Sequence, residues 1–520
     1  MRFLFTLLLL SGAAALMSQT ASRPLTYIFS PLFTDSSAAI RVIISFDGEP
    51  DGTSVLNFQD DQFGEPGQMK FLHFGPQEYG FKVQPEPDSN RILVTHPPGQ
   101  RVRIIYTVND RQGNLPFYDY CCYMPIINKE YFHVQGGHLL VVPDHYFSDP
   151  KDINLVDFRW INFDKKWTIN NSFGLDAMQK VRVTATQLTT SVFVGGNFDR
   201  YSFNIQNKPV HFVTKGRWTA FSNDTLVNLL HTIVEGHRTF WNDFADSIYT
   251  VTFLPINDAP WSDTSKFLSY GGSGLTNSFL CYATNNPGLN YGSMRYLFTH
   301  ELMHHWIGTK IENATEEQQY WFSEGFTEYF TLKNMLRYGL ITPDEFLEEF
   351  NGSMVQPHYV NPKRAMPNDS INYRNFWSGD KNWEKLPYYR GCLYAFYLDN
   401  QLRTATNGRT NLDAVMLDIL QKIRANPLQK LDHSFFKSVI QPHVGKKGIA
   451  DFEQFIEQGV PIRFKKTPLP EGIEYDQKDI VFSSGPSKEV VTKREKFKDI
   501  PVFLRKKGIS DDALKAAILK

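Results

Sequence analysis

His300-Glu301-Leu302-Met303-His304 constrains this chain more than any other feature, because it sets two imidazoles and a carboxylate on one turn of helix. Side chains four residues apart stack on one helical face, so both rings can reach a single cation. Glu301 lies one step round, where it reaches water beside the cation rather than the cation itself. Two ligands plus a general base is the division of labour that water activation on zinc requires. The approach to the pentapeptide carries apolar Met294, Leu297 and Phe298, continued by Leu302 and Trp306. That is helical spacing, with Gly308 as the expected stop.

Tyr320 to Phe330 reads as a second buried helix, with Glu324 and Glu328 one turn apart among aromatic residues. Carboxylates are costly to bury unless paired or metal-bound. Zinc asks for a third protein ligand and one open position, so Glu324 is expected to complete the site for one Zn2+ ion. Glu328, on the same face, is expected to accept the free N–H of a ligand histidine.

These segments, His300 to His304 and then Ser323-Glu324-Gly325-Phe326, resemble the two motifs of the gluzincin metallopeptidases. The nineteen residues from His305 to Ser323 are one more than in most aminopeptidases of that clan, a difference a connecting loop absorbs. Leu386 to Met416 is similar to the glycyl-aminopeptidase-like family, in which a tyrosine three residues before a glycine opens a long helix. Tyr388 matches it, ahead of Gly391, with Tyr389 as the fallback. The resemblance implies a thermolysin-like catalytic domain behind a β-rich domain that walls the cleft. It also implies that Tyr388 donates a hydrogen bond to the oxyanion of the tetrahedral intermediate.

Tyr270 to Ser278 aligns with the family's strand beside the substrate, where Gly271 and Gly272 would let an extended peptide approach the backbone. Gly274 stands where relatives carry the glutamate that holds the substrate's free amino group; Asp258 or Asp263 would have to replace it. The implied function is therefore a metallopeptidase acting on a peptide or protein substrate, aminopeptidase-like in action. The alternatives are an endopeptidase or altered-specificity peptidase of the same fold, and a non-catalytic zinc-bound peptide-binding protein.

The expected fold class is α+β. Short alternating runs such as Ile40 to Phe46 and Val102 to Val108 predict a β-rich N-terminal domain over 23–215. The catalytic domain is expected over 216–405, a helical part over 406–464, and a charged segment over 465–520, read as a solvated tail or a small β-element. Thr342-Pro343-Asp344-Glu345 is a helix start with a capping box. Arg2, the apolar run Leu4 to Leu10 and the small residues after it read as a signal peptide over 1–22. Secretion or a periplasmic location follows as an expectation, with no membrane span after signal removal. A formal net charge of −1 argues against nucleic acid as a partner. Cys121, Cys122, Cys281 and Cys392 permit at most two disulfides. Nothing in the sequence specifies an oligomeric state.

Overall fold

Alternation of apolar and polar residues shapes the N-terminal half. The computed structural model describes residues 23–35, 37–59, 68–86, 89–110, 124–149, 152–256, 268–484 and 493–520. The signal-peptide segment, Cys121, Cys122, Asp258 and Asp263 lie outside the described residues. Strands Leu25–Phe33, Ala38–Asp47 and Arg101–Asn109 sit side by side in a six-stranded sheet, burying every second residue. Two four-stranded sheets accompany it. Their inner faces meet in an aromatic core, where Phe29 stacks on Trp160 at 4.1 Å and Trp160 on Phe132 at 5.3 Å.

The catalytic half is built on a five-stranded sheet in the order Asp199–Ile205, Lys208–Thr214, Tyr249–Ile256, Ser278–Thr284, Tyr270–Leu275. Its first two strands come from the region the sequence placed in the N-terminal domain, so the boundary drawn at 215 cuts through a sheet. The periodicity is the same on both sides of that boundary, and only the pairing of Lys208–Thr214 with Tyr249–Ile256 shows which core the strands serve. This pairing is parallel, and helix Asn223–Trp241 makes the crossover. The helix is capped by the Ser222 side chain.

Helix Tyr291–Met303 lies on this sheet. Phe298 inserts its ring among Phe212, Phe253 and Phe279, with centroids at 6.4, 5.2 and 5.5 Å. One residue from each of three adjacent parallel strands thus fixes the helix two residues before His300. The expected capping box at Thr342 is present. Helices Gly325–Arg337 and Leu386–Ala405 pack against each other, sealing between them the ion pair of Lys333 and Asp399 at 2.9 Å, both side chains fully buried. Tyr329 and Arg403 also bond that carboxylate, which offsets part of its desolvation.

The C-terminal segment is not a solvated tail. Ile473–Ser484 and Lys493–Arg505 form a long hairpin, followed by helix Asp511–Leu519. Phe503, Leu514 and Ile518 are buried in the core of the catalytic half. Asn351 exchanges two hydrogen bonds with the Phe503 backbone, and Arg403 donates to the carbonyls of Ala517 and Ile518. The abundant lysines disguise this segment because they lie on its outer face while a few apolar residues dock it. Among the described residues no helix is long and apolar enough to cross a membrane, and Cys281 and Cys392 are free buried thiols.

Candidate metal centre

Helix Tyr291–Met303 begins at the Asn290 cap and ends earlier than its apolar spacing predicts. His304 is already the C-cap residue, and the chain then turns tightly, with His305 and Trp306 N–H groups bonding the Leu302 and Met303 carbonyls. His304 keeps helical dihedrals, so the stacking of His300 under His304 survives. The expected second helix is likewise divided, into Tyr320–Ser323 and Gly325–Arg337, with Glu324 at the junction at φ −98°. The i to i−4 bonds continue through Glu324 in both directions. Its side chain consequently stays aimed at the histidines.

His300 Nε2 and His304 Nε2 lie 3.0 Å apart, and each is 3.5 Å from Glu324 Oε2. Donors bonded to one tetrahedral zinc at ordinary distances stand about 3.4 Å from one another. The Glu324 Oε2 atom is buried and, among the described residues, has no hydrogen-bond donor, a costly arrangement for a carboxylate unless a cation meets it. Two imidazole nitrogens and one carboxylate oxygen also match zinc's ligand preference. The residues fit the ion.

His304 Nδ1 faces the Ile307 carbonyl at 3.2 Å, which directs Nε2 toward the donor triad. His300 Nδ1 faces Glu328 Oε1 at 3.6 Å, slightly beyond hydrogen-bond length. Tyr296 donates its hydroxyl to the other oxygen of Glu328. Burial pulls the His300 pKa down to about 4, whereas for His304 the same burial is overridden by the Glu324 charge, which lifts it to about 9. Burial acts to raise the Glu324 pKa, but His304 and His300 hold it well below the usual carboxylate range. A metal held by His300, His304 and Glu324 would compete with the proton on His304.

Glu301 is buried beside the triad, and burial raises its pKa to about 8. Gly272 packs directly over it: a Cβ there would lie 2.5 Å from the Glu301 Cγ and Cδ atoms. A Cβ on Gly274 would lie 2.6 Å from the His304 Cβ. The glycines of Tyr270–Leu275 thus let this edge strand lie against the histidine helix, and Gly274 has no room for the glutamate seen in relatives. Gly271 and Gly272 line a cleft of about 650 Å³ together with His300, Glu301, His304, Glu324, Glu328 and Tyr388.

Tyr388 enters the cleft from the first turn of Leu386–Ala405, with the Lys385 ammonium 4.1 Å over its ring centroid. Burial and the Glu324 charge raise its pKa far above the usual phenol value, so it remains a hydrogen-bond donor. Tyr389 is half-buried and absent from the cleft lining. If Tyr388 serves an oxyanion, Tyr388→Phe lowers kcat by about 100-fold with zinc content unchanged. Steady-state kinetics alongside metal analysis checks this, and a kcat within threefold of wild type removes the role.

Sequence reasoning missed the Ile307 carbonyl, Tyr296, Glu316 and Lys385. A backbone acceptor has no sequence signal, and the three side chains reach the cleft only through the packing of separate elements. His305 does stand apart from the site, as its position 100° round the helix predicts. It bonds Asp246 at 2.7 Å, in a cluster where Lys310 also meets Asp246 and Asp243.

Residues 293–390 match the M61 glycyl aminopeptidase family. No curated protein matches the chain. Among solved structures, an aminopeptidase N family protein from Idiomarina loihiensis superposes with a TM-score of 0.68 at 15% identity, covering 87% of this chain and 79% of that one. A mutant M1 zinc metallopeptidase from Deinococcus radiodurans gives 0.52 at 13% identity, over 86% and 96% of the two chains. A structure of the Deinococcus radiodurans enzyme described as bound to a Tyr-Ser-Ala substrate gives 0.52 at 13%, over 85% and 95%. The family match falls on the segment that carries the donor triad, and the neighbours share the α+β fold around it, so the chain is similar in both to the gluzincin zinc metallopeptidases.

Proposed function

We propose that this protein is an exported zinc-dependent aminopeptidase. The observation that carries the reading is the convergence of His300, His304 and Glu324 at zinc-ligand spacing, with Glu301 beside them in an open cleft. Bound there, zinc supplies a Lewis acid for the scissile carbonyl and lowers the pKa of water. The chain's own residues do the remainder. Glu301 takes a proton from the attacking water and delivers it to the leaving amine. Tyr388 donates to the carbonyl oxygen as negative charge gathers on it. The edge strand Tyr270–Leu275 offers its backbone to an extended peptide, and its glycines leave space above the reacting bond.

Aminopeptidase action is supported by the family matched over 293–390 and by the tripeptide complex of the Deinococcus neighbour. Export is supported by the basic start and short apolar run of residues 2–15. Product mapping by mass spectrometry on a mixed peptide library tests the activity, using zinc-loaded protein and the same protein after chelation. The expected result is release of single N-terminal residues from free-amine peptides, none after chelation, and recovery when zinc is returned. Equal cleavage of N-acetylated peptides would instead establish endopeptidase action. Tight peptide binding with no cleavage would leave the peptide-binding alternative.

A further inference from the structure

Five carboxylates line the cleft: Glu301, Glu316, Glu324, Glu328 and Glu384. Four are committed. Glu324 belongs to the donor triad, Glu301 is the base, and Glu328 receives the Tyr296 hydroxyl while facing His300. Glu384 is held between Lys381 at 2.7 Å and Lys385 at 3.0 Å. Glu316 is different. It is exposed to the cleft, and its Oε2 accepts one hydrogen bond, from Asn313 Nδ2 at 3.1 Å. Among the described residues no cation pairs with it, which leaves most of its acceptor capacity for something that enters the cleft.

The surroundings of Glu316 favour one chemistry. Tyr320, Phe376 and Trp377 form a contiguous aromatic wall of the same cleft, with Tyr320 and Phe376 centroids 4.2 Å apart and Phe376 and Trp377 4.8 Å apart. A carboxylate beside aromatic faces attracts an ammonium or guanidinium group through charge and through the ring quadrupoles. The other walls offer no such attraction. The Tyr270–Leu275 strand is without side-chain carboxylates and has no room for one at Gly274. The wall at 381–385 carries two lysines against one glutamate, so it repels cations.

We propose that Glu316, backed by Tyr320, Phe376 and Trp377, binds a positively charged group of the substrate, either its α-ammonium or a lysine or arginine side chain. This assignment rests on the peptidase reading of the cleft, and deepens it by naming the substrate feature that is recognised.

The test uses full-length zinc-loaded protein and matched peptide pairs. One pair compares free with N-acetylated termini, and the other compares lysine with norleucine at each position near the cleaved bond. Wild type is expected to prefer the cationic member of a pair. Glu316→Gln is expected to lower the cationic-to-neutral ratio of kcat/KM by about 10- to 100-fold, the scale of a charge-assisted hydrogen bond. Glu316→Asp should retain part of the preference. A collapse in the first pair identifies the α-ammonium, and a collapse in the second identifies a side chain. An unchanged ratio overturns the assignment, including the case where both members fall equally. Calorimetry of Ala-Lys-Ala, its N-acetylated form and Ala-norleucine-Ala on zinc-loaded Glu301→Gln protein, with and without Glu316→Gln, reads both preferences without turnover. If protein with Glu301 intact shows no metal-dependent cleavage but the binding preference depends on Glu316, the peptidase reading fails and the Glu316 assignment stands.

Discussion

Glu301→Gln is expected to lower kcat/KM by about 1,000-fold while zinc stays bound, the middle of the range for removing a general base. The substitution keeps shape and hydrogen-bonding reach but cannot accept and return a proton. The surroundings accept the amide without rearrangement, because Glu301 is buried under Gly272 and, among the described residues, its carboxyl makes no ion pair with a lysine or arginine. None of the three donor atoms at zinc-ligand spacing belongs to Glu301. Zinc content by mass spectrometry should therefore match wild type, and a free-amine peptide should bind with similar affinity. That split separates loss of proton transfer from loss of the metal site. Turnover within tenfold of wild type would show that another group moves the proton. By contrast, His304→Ala removes a metal donor and should lose zinc and activity together.

Gly391→Val is expected to cost about 3 kcal/mol or more in stability and to weaken zinc binding, although residue 391 touches no metal donor. A Cβ on Gly391 would lie 1.8 Å from the Trp321 carbonyl oxygen and 2.8 Å from the Gly325 Cα. A Cβ on Gly325 would lie 2.4 Å from the Gly391 Cα. Both obstacles are backbone, so no rotamer change relieves them, and the helices must separate. Gly325 follows the ligand Glu324, and Gly391 lies one turn beyond Tyr388. Separation therefore moves the third zinc donor and the proposed oxyanion donor away from each other at once. Gly391→Ala should act in the same direction. Gly352→Ala, at a glycine whose Cβ would meet nothing within 4 Å, is the control. Thermal unfolding and competitive zinc titration check the pair. Wild-type melting and zinc affinity in Gly391→Ala would show that the helices adapt and that this contact does not position the site.

Much of the centre was legible because its signals are local. His300 and His304 are four residues apart, and Glu301 lies between them, so one turn of backbone carries their relation wherever the helix is placed. Glu324 was legible as a carboxylate among aromatic residues that needed a partner, and Tyr388 through motif resemblance, but their proximity to the histidines is a matter of packing. The strand alternation of the N-terminal half was equally readable, whereas the boundary at 215 was not. Strands look alike in sequence whichever sheet receives them, and only Lys208–Thr214 beside Tyr249–Ile256 assigns them to the catalytic half. The C-terminal segment could be read only as a tail or a small β-element for a related reason, since a handful of buried apolar side chains dock it while lysines dominate its composition.

What the sequence by itself determined about this protein is the chemistry available to it: two imidazoles and a base at spacings that short-range helical geometry converts into position, and a candidate third ligand on a later segment. Tertiary structure alone decided what that chemistry meets. The glycine strand lies so close to the histidine helix that Gly274 has no room for a side chain. The separate packing of 308–320 and 371–388 then leaves Glu316 and an aromatic wall facing the same cleft. Those contacts join residues far apart along the chain. Their distances depend on how sheets and helices pack, which no local spacing encodes.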